Sequence, residues 1–179
     1  MNYIVLDLEA TCWLGKPPNG INEIIEIGAV KINDYGDVLG FFSKLIKPSV
    51  NPKLSGFCKK LTGIKQEQLN VADGFVKVID EFKEFIGGEE EEFALFSWGD
   101  NDRSYLESNC KLHNIDYHWL ESFHDMHKIY LKFKGAQTKS GLKHIVESEG
   151  FEFEGVQHSA YVDAYNLGKI FIKYLDEWI

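Results

Sequence analysis

Residues 3–11 read Y-I-V-L-D-L-E-A-T. Tyr3 to Leu8 has the apolar, β-branched run of a buried strand. Asp7 and Glu9 interrupt that run at its carboxyl end. Side chains two apart on a strand share a face, so both carboxylates point the same way. Two like charges that close repel unless a cation lies between them. A solvated strand end would explain a solitary D-x-E, so the rest of the chain has to decide.

Two more strands follow, Ile24–Ile32 and Val38–Ile46, and Asn33, Asp34 and Gly36 between them make a hairpin turn. Lys53–Leu61, after Pro52, reads as a short helix. Asp73 reads as the N-cap of a longer helix. Its Phe75, Val78, Ile79, Phe82, Phe85 and Ile86 recur at helical spacing, and Gly87-Gly88 ends it. Phe93–Trp98 is a fourth strand, and a helix from Asp102 to His113 follows. The stretch 116–124 is ambiguous and has room for a short strand, with helical pieces expected over 125–133 and 141–149. The last helix is expected from Ser159 to Trp178. This order predicts an α/β protein, a mixed β-sheet flanked by helices, as one domain over residues 1–179.

The chain holds 13 Phe, 8 Tyr and 4 Trp in 179 residues, too many aromatic rings for a solvated coil. No apolar run approaches the ~20 residues that span a bilayer. The N-terminus lacks the basic segment of a signal peptide. Cys12, Cys58 and Cys110, without metal-type spacing, read as free thiols of a reducing compartment. These readings predict a cytoplasmic protein without membrane attachment. The net charge of −9 speaks against a duplex nucleic-acid scaffold. The cations are clustered, however: Lys53–Gln66 holds four lysines and Met126–Val146 five, with no acid in either, against the run Glu89–Glu92. Such segments are solvated faces, or they flank an acidic pocket that grips phosphates.

Asp163 falls in line with Ala160, Ala164 and Leu167, where packing would favour an apolar residue. A carboxylate partly buried there is costly unless paired or metal-bound. His158, five residues earlier, is a candidate base. Asp102 repeats the anomaly on the stripe of Tyr105, Leu106, Asn109 and Cys110. Asp100 competes with it but aligns with polar Arg103, Ser104 and Glu107, which suits a cap or turn. Glu26, inside I-I-E-I-G-A-V, reads as a buried acid satisfied by its neighbours, and His124-x-x-His127 as surface. Acids from several elements without cationic partners favour hard divalent cations with oxygen ligands, Mg²⁺ or Mn²⁺. No C-x-x-C or H-E-x-x-H is present to suggest zinc.

Four motifs, V-L-D-L-E-A-T (5–11), I-I-E-I-G-A-V (24–30), W-G-D-N-D-R-S-Y-L (98–106) and H-S-A-Y-V-D (158–163), resemble those of the DnaQ-like 3′–5′ exonucleases. The H-x-x-x-x-D spacing resembles the DEDDh subgroup. The stretch L-S-G-F-C-K-K-L-T-G-I (54–64) is similar to the branch that holds the sporulation-inhibitor KapD and the histone-mRNA and small-RNA 3′-exonucleases. The resemblance implies an RNase H-like fold and two bound divalent cations, Mg²⁺ or Mn²⁺. By position, Asp7, Glu9, Asp102 and Asp163 would be the metal ligands and His158 the general base. The implied reaction is hydrolysis at the 3′ end of single-stranded nucleic acid, RNA before DNA, releasing nucleoside 5′-monophosphates.

Such an enzyme must hold a terminal base without reading it, and an aromatic surface does so by stacking. Phe57 is the candidate, with Leu61, Thr62, Gly63, Ile64 and the backbone of Ala10 and Thr11. These positions come partly from the resemblance and partly from the Lys53–Gln66 basic segment. Trp98 reads as core. The lysines at 128, 132, 134, 139 and 143 either track the upstream phosphates or keep a face soluble. Two rivals stand beside this reading. One is an aspartyl-phosphate phosphatase using Asp7-x-Glu9 and Gly99-Asp100, and the other is a nucleic-acid-binding module without turnover.

Overall fold

The computed structural model describes residues 1–88, 90–135 and 140–178. Glu89 of the acidic run and Lys139 of the second basic segment lie outside the described residues. Five strands form one sheet: β1 (Asn2–Ala10), β2 (Ile24–Asn33), β3 (Val38–Leu45), β4 (Phe93–Ser97) and β5 (Phe123–Asp125). The order across it is β3-β2-β1-β4-β5. Strands β1, β2 and β3 run antiparallel in sequence, and β4 joins β1, and β5 joins β4, in parallel. The central strand is therefore β1, whose carboxyl end carries the two anomalous acids.

Among the described residues there are seven α-helices: α1 (Gly56–Thr62), α2 (Gln66–Asn70), α3 (Phe75–Ile86), α4 (Asn101–Leu112), α5 (Met126–Lys134), α6 (Leu142–Ser148) and α7 (Ala160–Lys173). Alternate residues of β1 serve opposite layers. Ile4, Leu6 and Leu8 pack with Phe75, Val78, Ile79 and Phe82 of α3 and Leu106 of α4. Val5 faces the other way, with Val30, Ile32 and Leu167, Ile170 and Phe171 of α7. A third cluster of Ile25, Leu54, Cys58, Ile64 and Leu69 fastens α1 and α2 to the edge of the sheet.

The expected elements are present, with five differences. The helix expected over Lys53–Leu61 begins only at Gly56, behind Ser55, whose side chain accepts from the Cys58 N–H at its N-terminus. Gly74, not Asp73, occupies the N-cap of α3, and the Asp73 carboxylate instead pairs with Lys77 at 2.8 Å. Helix α2 was not expected, because Q-E-Q-L-N has no apolar stripe and buries Leu69 alone. The last helix ends at Lys173, not near Trp178. A 3₁₀ turn over Leu175–Glu177 follows, and the buried Trp178 donates its indole N–H to the Phe171 carbonyl at 2.8 Å. Finally, His124 and His127 are not surface residues. His124 is half-buried and stacks on Phe96 at 4.9 Å, while the buried His127 lies 4.8 Å from the Trp98 ring. No helix among the described residues is long and apolar enough to cross a membrane.

Candidate active site

Asp7 lies opposite Gly28, and Glu9 opposite Glu26, in the β1–β2 register. Directly opposed residues of a strand pair share a face. Asp7, Glu9, Glu26 and Gly28 therefore all face α7. A side chain on Gly28 has no room, since a Cβ there would stand 2.2 Å from the Ala160 carbonyl carbon and the Tyr161 nitrogen. The first turn of α7 thus lies directly on the sheet and brings Asp163 over β1. The Glu26 carboxylate accepts from the Ala160 N–H at 3.0 Å and from the Ser159 hydroxyl at 3.4 Å. His158 precedes this turn with a φ of +69°, and its N–H donates to Asp163 Oδ2 at 2.9 Å.

Helix α4 supplies the third acid. Asn109 ties that helix to the start of β2: its Oδ1 accepts from the Ile24 N–H and its Nδ2 donates to the Asn22 carbonyl. Two turns earlier on the same helix, Asp102 is buried at the end of β1. Asp100 points elsewhere: its carboxylate is 58% exposed and is paired with Lys128.

A cleft of about 390 Å³ gathers Asp7, Glu9, Asp102, His158 and Asp163, with Ala10 and Leu61 on its wall. Glu9, His158 and Asp163 each offer a ligand atom within 4.8 Å of the others. Burial pushes Asp7 well above the usual carboxylate range, and the charges of Asp102, Asp163, Glu9 and Glu26 add to it. Glu9 is pushed up to about 8, by burial first and then by Asp163, Glu26 and Asp102. Asp102 rises to about 7 through burial, although the Ser97 hydroxyl and the Leu8 N–H pull it down. Burial also raises Asp163. Its Oδ1 is buried with no hydrogen-bond partner. An orphaned carboxylate oxygen among crowded acids whose pKa values are all raised is what a hard cation would satisfy, so the donor set fits divalent metal.

A second recess, apolar and about 660 Å³, adjoins the cleft and is lined by Leu14, Gly56, Phe57, Lys60, Leu61 and His158. Phe57 and Leu61 are each 37% exposed there. The other expected substrate residues line neither space. Thr11 is buried, its hydroxyl accepting from the Glu23 N–H at 2.8 Å. Thr62 and Gly63 terminate α1, Gly63 in the left-handed conformation, and Ile64 is core. Trp98 both lines the cleft and packs against the α5 side, its indole N–H donating to the Ser140 carbonyl at 3.2 Å. Lys128, Lys134 and Lys143 are engaged in ion pairs with acids of this chain.

Asn101, Tyr105, Leu142 and Gln157 also line the cleft, though none was anticipated from the sequence. Tyr105 sits one turn beyond Asp102 on the same stripe, which was the available signal. The acid pair of a phosphatase is not assembled, because Asp100 lies outside the cleft against Lys128.

The family model described as Exonuclease (RNase_T) matches residues 4–171. The chain is 32% identical to "3′-5′ exoribonuclease 1" of Homo sapiens over 98% of its own length and 53% of the relative's. It thus spans about half of that protein. It is also 32% identical to "Probable 3′-5′ exonuclease KapD" of Bacillus subtilis, over 95% of this chain and 82% of the relative. Among solved structures, the nuclease domain of 3′hExo, a DEDDh family member bound to rAMP, superposes with a TM-score of 0.89 at 27% identity. The superposition covers 98% of this chain and 92% of that one.

Proposed function

The chain belongs to the exonuclease family whose model spans residues 4–171, and from that premise we propose that it hydrolyses nucleotides from the 3′ end of single-stranded nucleic acid. The observation that carries this reading is the meeting of Asp7 and Glu9 of β1, Asp102 of α4, Asp163 of α7 and His158 in one cleft. RNA is the preferred substrate over DNA, on the strength of relatives that are named exoribonucleases.

Asp7, Glu9, Asp102 and Asp163 would hold two divalent cations, Mg²⁺ or Mn²⁺. When bound, such ions neutralise phosphate charge and lower the pKa of a coordinated water. The side chains of this protein supply the rest. His158 offers a ring nitrogen close to Glu9 and Asp163. In neutral form it takes the proton of the attacking water, general-base assistance worth about 10²–10⁴ in rate. The four carboxylates offset about four units of metal charge and then tolerate the incoming phosphate. The products are nucleoside 5′-monophosphates.

The apolar recess holds the terminal base. Stacking on Phe57 is worth roughly 1–3 kcal/mol and is indifferent to sequence, and Leu61 adds apolar lining to the same recess. Lys60, which also lines the recess, would offer its charge to the phosphate of the bound nucleotide. Ala10 lines the adjoining cleft, whereas Thr11, Thr62, Gly63 and Ile64 lie behind the α1 wall and support it without reaching the substrate space. Digestion of 5′-labelled single-stranded RNA and DNA with Mg²⁺ or Mn²⁺ tests the proposal. A ladder shrinking by one nucleotide, stopped by EDTA and faster on RNA, is expected. Internal cuts, or metal and oligonucleotide binding without product, would contradict it.

A further inference from the structure

We propose that Glu26 is a positioning residue: from β2 it caps the amino end of α7, and so fixes where His158 and Asp163 stand over β1. This rests on the metal-dependent reading of the cleft and adds a residue that touches neither substrate nor ion.

The first N–H groups of a helix have no partner within it. Ser159 stands at the N-cap of α7 yet makes no side-chain cap bond to its own helix. Its hydroxyl turns to Glu26 Oε1 instead, while the Ala160 N–H donates to Glu26 Oε2. The Tyr161 N–H contributes as well. A carboxylate at this end of a helix also meets the favourable end of the helix dipole. Gly28, two residues further along the same face, leaves the space in which Ala160 rests.

Glu26 sits directly across from Glu9, so its charge aggravates a crowded group of acids. Packing alone would favour an apolar residue here, as at Val30 and Ile32 on the same face. The donors from α7 account for the acid. Both of its oxygens are engaged by those donors, which separates it from Asp163, whose Oδ1 is left without a partner. Between Glu26 and Asp163 the chain is held at both ends. The His158 N–H is tied to Asp163 Oδ2, and the next two residues are tied to Glu26. This keeps His158 at a positive φ that a non-glycine residue adopts only when its surroundings impose it. Without Glu26 the turn relaxes and the imidazole leaves the Glu9–Asp163 group.

The test compares Glu26→Ala, Glu26→Gln and Glu9→Gln in the full chain. It reads Mn²⁺ affinity by calorimetry, amide exchange at Ala160 and Tyr161, and kcat and KM on a single-stranded RNA oligonucleotide. Glu26→Ala is expected to weaken Mn²⁺ binding at least tenfold and lower kcat about 10²-fold, the cost of misplacing a reacting group by about 1 Å. KM should stay within about threefold, because the recess owes Gly56, Phe57, Lys60 and Leu61 to α1 and only His158 to the displaced turn. Exchange at the two amides should accelerate more than tenfold. Glu26→Gln, which keeps an acceptor oxygen, should recover most of each loss. If Glu26→Ala does not fold, Glu26→Asp serves in its place and should show the same losses in smaller measure.

Wild-type Mn²⁺ affinity and amide exchange in Glu26→Ala would overturn the proposal. So would Glu26→Gln losing Mn²⁺ as severely as Glu9→Gln, since Glu26 would then be a ligand. A wild-type protein that fails to degrade RNA would remove the proposed reaction, while the metal and exchange readouts would still decide this one.

Discussion

Replacing Gly28 with alanine tests the close contact on which the cleft depends. A Cβ at that position would lie 2.2 Å from the Ala160 carbonyl carbon and the Tyr161 nitrogen, and 2.3 Å from the Ala160 oxygen. Ordinary contact begins near 3.4 Å, so the two backbones must separate by about 1.2 Å. No flexible side chain is there to yield, because all three atoms belong to the backbone of α7. Overpacking of this kind costs about 1–3 kcal/mol, or roughly 2–12 °C in melting temperature for a chain of this size. The kinetic effect should exceed the stability effect. Asp163 and His158 move with the first turn, and an error of about 1 Å in placing reacting groups costs about 10²-fold. Hydrolysis of a labelled RNA oligonucleotide, read beside a thermal melt, is the assay. A cooperative melt with kcat down about 10²-fold is expected. Activity within threefold of the parent would mean that α7 does not lie against β2 at Gly28.

His158→Ala should leave Mn²⁺ binding within a few fold and cut kcat by about 10²–10⁴ at pH 7; a near-normal rate at that pH would remove the histidine from the reaction. Phe57→Ala should raise KM for RNA by about tenfold, equivalent to roughly 1–2 kcal/mol of lost stacking, and unchanged KM in steady-state kinetics would place the base elsewhere. Metal-free protein should lose stability as pH rises. Glu9 goes from its ordinary 4.5 to about 8 on folding, and Asp102 from 3.8 to about 7. The folded chain therefore holds protons that the unfolded chain has released, and stability falls between about pH 4 and pH 8. Melts in EDTA across that window should show the decline and melts in excess Mg²⁺ should flatten it; a rising curve in EDTA would contradict the sign.

The acids of β1 were legible because they broke an apolar run, and Asp163 because it interrupted a helical stripe. Both anomalies are violations of packing, which sequence periodicity reports well. The same periodicity misled at the end of the chain. Tyr174 and Trp178 continue the stripe of α7, but a 3₁₀ turn buries Trp178 equally well. Residue type misled at His124 and His127, whose polar rings are covered because His124 stacks on Phe96 and His127 packs at a tilt against Trp98. Asp73 has the chemistry of a cap, yet Gly74 takes the position and Lys77 takes the carboxylate. Helix α2 left no trace, since a five-residue helix with a single buried leucine has no period to detect. Asn101 and Gln157 were invisible for a related reason: polar residues at element ends look like ordinary surface until a cleft closes around them.

Acids from three elements, β1, α4 and α7, are proposed to share divalent ions in one cleft. Anomalous diffraction from crystals soaked in Mn²⁺ and a nucleoside 5′-monophosphate would locate those ions. Two peaks are expected inside the cleft, bridged by oxygens of Asp7, Glu9, Asp102 and Asp163, with the base against Phe57. Peaks confined to other acidic surfaces, with the four carboxylates holding only protons, would contradict it.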